Sequence, residues 1–140
     1  MKTGERLVEV GVGYALGRAG RGIAYARTRG GLIPETIRVP FAVPPDTGWP
    51  EKERLADYAA LRAVARALRR RGMRCVRLLL NDERLANEVT RGSEIDKHLA
   101  LSYVRLRCEL NAFSKCEIGV GSTEDLTHRA RAEAALNLAA

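Results

Sequence analysis

The stretch that most constrains this chain is Arg74 to Gly92, RCVRLLLNDERLANEVTRG. Val76, Leu78 and Leu80 alternate with Arg77 and Leu79, so the run ends apolar on both faces. A strand of that pattern belongs inside a sheet that is covered on both sides. Asn81 and Asp82 stop the strand, and Glu83 to Val89 then has helical spacing, with Leu85, Ala86 and Val89 on one face. Asp82 therefore falls where a strand passes into a helix. In an open α/β sheet, ligands bind at the carboxyl ends of strands, so an acid there is a candidate ligand or catalytic residue. Asp just before a helix is also a favoured N-cap, and on local sequence the cap is the commoner role.

The rest of the chain supplies the covering layers. Leu7 to Val12, with Gly11 and Gly13, predicts a first strand over roughly 5 to 15. LGRAGRG (16–22) is a glycine-rich turn carrying Arg18 and Arg21, and Ile23 to Ala26 is a second strand reached by a hairpin. Gly30-Gly31 marks another turn, and Thr36 to Val43 is a third strand. Pro40 within it predicts an edge position, where a missing N–H costs nothing. A loop over 44–50 holds Trp49, the single tryptophan. Glu51 to Arg71 is a helix, with Arg69, Arg70 and Arg71 in its last turn and Gly72 as its stop. Tyr58, Leu61, Val64, Ala65 and Leu68 form its apolar stripe, and Asp57 lies at the stripe's edge. Arg91-Gly92-Ser93 breaks the chain before a helix over Asp96 to Phe113, whose buried face is Leu99, Tyr103, Leu106, Leu110 and Phe113. Cys116 to Val120 is a fifth strand. A last helix begins at Thr123, with Ala130, Ala134 and Leu138 as a narrow face for close packing.

This order, βββαβααβα, predicts a meander followed by two right-handed crossovers, with both later strands parallel to the first. The fold class is α/β: a mixed five-stranded sheet with helices on both faces. At 140 residues the chain is expected to form one domain, 1–140. Hydrophobic content of 46% against 29% charged is that of a soluble globular protein. No apolar run approaches the ~18 residues that span a bilayer. The amino end, MKTGERLVEV, lacks a signal-peptide core, so a cytoplasmic location is expected, with no membrane partner. Cys75, Cys108 and Cys116 lack CxxC spacing and read as reduced, mostly buried thiols, with a zinc site as the second choice. A net charge of +7 and a pI near 9.8 favour an anionic partner, nucleic acid first. Arginine, which outnumbers lysine, grips phosphate oxygens bidentately. Aromatic content of 5% is too low for a base-stacking platform.

Four stretches, in order and in spacing, make the chain resemble the ribonuclease H-like family, in particular the prokaryotic ribonuclease HI type. VEVGVGYALGRAGRG (8–22) resembles the family's first strand and glycine-rich hairpin, and RLADYAALRAVARAL (54–68) resembles its Ala-Glu-Tyr-x-Ala-Leu helix. LLLNDERLANEV (78–89) resembles the step Ser-Asp-Ser-x-Leu, and KCEIGVGSTEDLTHRARAEAALNLA (115–139) resembles the closing strand and helix. The resemblance implies hydrolysis of the RNA strand of RNA–DNA hybrids by two Mg²⁺ ions held by four acids.

Carried over position by position, that acid set is incomplete. The first-strand acid falls on Val12, the helix acid on Asp57, the third on Asp82, and the last on Arg131; the asparagine preceding the last acid falls on Thr127. Valine offers a metal nothing. Arg131 places a positive charge where a cation would bind, and at ~4 Å and an effective dielectric near 20 two unit charges repel by about 4 kcal/mol. The resemblance therefore implies an impaired two-metal site. One weak Mg²⁺ at Asp57 and Asp82 stays open, since Mg²⁺ binds through one or two carboxylates with phosphate oxygens and water. If the chain is active, Mg²⁺ or Mn²⁺ is its cofactor; otherwise none is expected. The sharper expectation is that Arg131 forms salt bridges to both Asp57 and Asp82. Glu9 points away from Val12 across the first strand. Glu83, Glu88, Glu124 and Asp125 read as surface or helix-dipole charges, and His128 as exposed.

Three functions stay open. The first is a non-catalytic nucleic-acid-binding domain, for RNA–DNA hybrid or double-stranded RNA. Backbone N–H groups of the 16–22 turn, around Gly17 and Gly20, would contact phosphates together with Arg18 and Arg21, and the cluster Arg66, Arg69, Arg70 and Arg71 could add to them. The second is a hybrid-cleaving ribonuclease with a rearranged, single-metal site. The third is an interaction module that binds a protein partner or pairs with itself.

Overall fold

Alternation along the first strand decides which face of the sheet each helix covers. The computed structural model of the chain describes residues 7–29, 35–44, 51–92 and 95–139. The turn expected at Gly30-Gly31, the loop around Trp49 and the break at Ser93 lie outside the described residues. Strands β1 (Val8–Leu16), β2 (Arg21–Arg29), β3 (Thr36–Ala42), β4 (Cys75–Leu80) and β5 (Lys115–Val120) form one sheet in the order β3-β2-β1-β4-β5. The first three are antiparallel neighbours, and β4 and β5 run parallel to β1. This is the predicted mixed sheet. β3 is an edge strand, which accommodates Pro40 opposite Ile23.

Helices α1 (Glu51–Arg70), α2 (Glu83–Arg91), α3 (Ala100–Asn111) and α4 (Glu124–Ala139) complete the fold. Val10, Val12, Ala24, Ala26, Leu78 and Leu80 belong to the larger core, packed with Tyr58, Leu61, Val64 and Leu68 of α1. Burial of each large aliphatic side chain contributes about 1.5–3 kcal/mol. On the opposite face Ile23 and Tyr25 pack with Leu126 and Ala130 of α4 in a smaller second core. The close approach there depends on Gly13. A Cβ at this position would lie 2.5 Å from the backbone nitrogen of Thr127 and 2.7 Å from the carbonyl carbon of Leu126. Ala130 and Ala134 are buried as expected; the side chain of Leu138 is outside the described ones.

Three local expectations need correction. Arg21 and Gly22 belong to β2, because Gly22 pairs with Leu16 and Arg21 with Ala42. The turn is therefore a short 3-10 segment, Arg18–Gly20, closed by left-handed conformations at Ala19 and Gly20. The helix expected over 96–113 is shorter. A 3-10 turn, Lys97–Leu99, precedes α3, and Phe113 lies beyond its end; Leu99, Leu106, Leu110 and Phe113 are nonetheless buried. Of the cysteines, Cys75 is buried, Cys116 half-buried and Cys108 exposed, since Cys108 shares the outer face of α3 with Leu101 and Val104. Cys108 and Cys116 are free thiols. Among the described residues no group of three His, Cys, Asp or Glu side chains is placed to hold a metal. No described helix is long and apolar enough to cross a membrane.

Candidate functional site

β1 and β4 are parallel, so their carboxyl ends open on the same edge of the sheet. A cleft at that edge is lined by Val12 and Tyr14 of β1, Asp82 after β4, and Thr127 and Arg131 of α4. It adjoins a second depression that contains Asp57 of α1 and Arg84 of α2 and shares Tyr14, Asp82 and Arg131 with the first. The five positions singled out from the sequence as counterparts of the family's site thus come from four separate segments to one place.

Each acid is held by its own element. Asp82 is the N-cap of α2: its Oδ1 accepts the Leu85 N–H at 3.2 Å, while its side chain also lines the cleft. The cap and the cleft position are therefore compatible. Asp57 projects from α1 beneath Tyr14, whose hydroxyl donates to Oδ1 at 2.5 Å. Tyr14 reaches it because it lies two residues beyond Val12, on the same face of β1. Burial raises the Asp57 pKa to about 6, against the lowering effects of the Tyr14 hydrogen bond and of Arg84; the Asp82 charge adds to the rise. Burial, and then the Asp57 charge, push the Tyr14 hydroxyl well above its ordinary range, so it stays a donor.

The cation between the acids is Arg84. Its Nη2 lies 3.3 Å from Asp82 Oδ2 and 3.6 Å from Asp57 Oδ2, and its Nη1 lies 3.9 Å from Glu88 Oε2. This corrects the expectation for Arg131. That residue lines the cleft but is exposed, and among the described residues it forms no ion pair. The geometry favours Arg84 because the first turn of α2 starts at the Asp82 cap and directs a side chain two residues on back over it.

Glu88 also departs from expectation, since it is not a surface charge. Its side chain is 14% exposed, accepts the Tyr58 hydroxyl at 2.6 Å and pairs with Arg54. Burial alone would raise its pKa, but the hydrogen bonds from Tyr58 and Arg54 outweigh this and hold it below the usual carboxylate range. Glu9 lies on the far face of the sheet, where Arg77 joins it to Glu117. Asp125 pairs with Arg27, and Glu83, Glu124 and His128 are exposed. Neither Tyr14 nor Arg84 was singled out from the sequence. Strand alternation from Val12 marks the first, and the i, i+4 spacing of Arg84 with Glu88 hints at the second.

This donor set does not fit a pair of divalent ions. Val12 contributes no oxygen, Asp57 is mostly buried beneath a hydroxyl, and one guanidinium occupies the space between the two remaining acids. For nucleic acid, Arg18 in the turn after β1 and Arg21 at the start of β2 are both exposed beside a groove floored by Phe41 and Pro40. The turn's backbone is less available than expected, since the Gly17 N–H already donates to the Arg21 carbonyl at 2.6 Å.

Sheet order, crossover pattern and the position of the cleft define a ribonuclease H-like fold. No protein-family model matches the sequence, and no curated protein matches it. Solved structures do. The ribonuclease H1 of the halophilic archaeon Halobacterium salinarum NRC-1 superposes with a TM-score of 0.66 at 18% identity, covering 91% of this chain and 93% of that one. The N-terminal RNase H domain of Rv2228c from Mycobacterium tuberculosis gives 0.60 at 14% identity, over 94% and 99% of the two chains. LC11-RNase H1, solved in complex with an RNA/DNA hybrid, gives 0.59 at 12% identity, over 89% and 91%.

Proposed function

We propose that this chain is a nucleic-acid-binding domain on the ribonuclease H-like fold, in which a protein cation has replaced the catalytic metals. The observation that carries this reading is the placement of Arg84 within 3.6 Å of both Asp57 and Asp82. A guanidinium there satisfies the two acids while opposing the approach of a divalent ion. Hydrolysis by a metal pair is lost, and the basic surface is retained: the net charge is +7, and Arg18 in the turn and Arg21 at the start of β2 stand exposed beyond the cleft. The hybrid bound by LC11-RNase H1 makes RNA–DNA hybrid the first ligand to test.

The experiment is a paired gel-shift and cleavage assay on hybrid, duplex and single-stranded substrates, with and without Mn²⁺. The expected result is binding that weakens steeply with salt, as phosphate neutralisation requires, and no cleavage. Mn²⁺-dependent cleavage that disappears in Asp82→Asn would replace this reading with a single-metal nuclease. Absence of binding at low salt, with a defined oligomer in solution, would replace it with an interaction module.

A further inference from the structure

We infer that the face formed by the second half of α1 and by α3 is a second phosphate-binding surface, distinct from the cleft, that engages the sugar-phosphate backbone of the same nucleic acid. This inference rests on the nucleic-acid reading above. Arg62, Arg66 and Arg69 follow one another at i, i+4 and i+7, so α1 presents them as a single stripe. All three turn toward one carboxylate, Glu109 of α3. Arg69 Nη1 lies 2.9 Å from Oε1, and the Nε atoms of Arg66 and Arg62 lie 3.6 and 3.8 Å from Oε2. Arg70 lines the same depression and forms no ion pair among the described residues.

Donors here outnumber acceptors. Each guanidinium carries five N–H groups, whereas one carboxylate accepts at about four lone-pair sites. Only Arg69 is close enough to Glu109 for a hydrogen bond, and Arg62 Nε is buried with no hydrogen-bond partner. The helix dipole accounts for basic residues in the last turn, which here are Arg69 and Arg70. It does not account for Arg66 and Arg62, which lie one and two turns earlier. Glu109, itself 15% exposed, offsets only one of these positive charges and leaves the stripe cationic. Arginine side chains match phosphate oxygens bidentately. Asp57 and Arg69 are twelve residues apart on α1, so the two sites are separated by about 18 Å at ~1.5 Å per helical residue. A backbone running along α1 could therefore reach both.

The test measures affinity for an RNA–DNA hybrid two helical turns long across a salt series. The wild-type chain, the triple variant Arg66→Gln, Arg69→Gln, Arg70→Gln, and Glu109→Gln are compared at a temperature where thermal unfolding shows all three folded. For the triple variant, binding is expected to weaken at least tenfold. The slope of log affinity against log salt should fall by up to about 2.7, given ~0.9 for each of three phosphates that are no longer neutralised. For Glu109→Gln, which removes the cluster's counter-charge, affinity should rise severalfold; a purely structural role for Glu109 predicts no rise. The matching Arg→Lys triple, which keeps the charge, should retain most of the slope. A wild-type salt slope and affinity in the Gln triple, or unchanged or weaker binding by Glu109→Gln, overturns the second site and leaves the cleft reading intact. Failure of the wild-type chain to bind removes both.

Discussion

At the scale of single residues, Asp57 governs the cleft. Its carboxyl titrates near 6 when folded, against an ordinary value of 3.8. Between those two values the native state binds more protons than the unfolded chain, so Asp57 makes stability fall as pH rises through that window. A rise of that size corresponds to a cost of about 3 kcal/mol once the group is fully charged. Asp57→Asn, a neutral isostere, is expected to be stabilising near pH 7.5 and nearly neutral near pH 4; urea unfolding of both proteins across the window checks the difference. Tyr14→Phe should act in the opposite direction. It removes the 2.5 Å hydrogen bond to the carboxylate, with a loss of about 1.5–3 kcal/mol near neutral pH, the range for hydrogen bonds to charged groups. That loss should shrink in acid, where the carboxyl is protonated, and an unchanged loss there would place Tyr14's contribution in packing. Much of this site was legible in the sequence. The alignment of motifs brought Val12, Asp57, Asp82, Thr127 and Arg131 to one edge. The guanidinium between the acids was not legible, because which arginine reaches them depends on the direction of the first turn of α2, and linear spacing does not give that direction.

At the scale of elements, the seating of α4 depends on the sequence most sharply at one point. Gly13 leaves no room for a side chain, and the atoms it would meet are mostly helix backbone. Gly13→Ala is expected to destabilise by about 3 kcal/mol or more, at the upper end for overpacking, with the loss read from chemical unfolding. The polar rim of the same interface, where Glu133 accepts from Tyr25 and pairs with Arg38, is a lesser contributor because Arg38 is half exposed. Strand identities and the α1 stripe were legible because period-2 and period-3.6 patterns were strong there. Boundaries moved where tertiary pairing overrode local punctuation. Gly22 looked like turn sequence but lies in β2, with the Phe41 ring over it.

At the scale of the whole molecule, the formal charge of +7 is unevenly distributed in its effects. In the cleft, arginines and carboxylates are interleaved, whereas on α1 and α3 several arginines share one acid. Raising ionic strength from about 50 to 200 mM is expected to weaken nucleic-acid binding by a factor on the order of 10³ if six phosphates are engaged. Little change in thermal stability should accompany it, since exposed ion pairs contribute under about 1 kcal/mol each. Fluorescence anisotropy and thermal unfolding across the same salt series separate the two effects. The close approach at Gly13 has a wider consequence. With helix main chain resting on bare strand main chain, the tip of α4 is held like a tool in a chuck, and whatever side chain stands at 131 is delivered to the same point in space. The chemistry of that rim can therefore be exchanged one substitution at a time while the framework beneath it stays as it is.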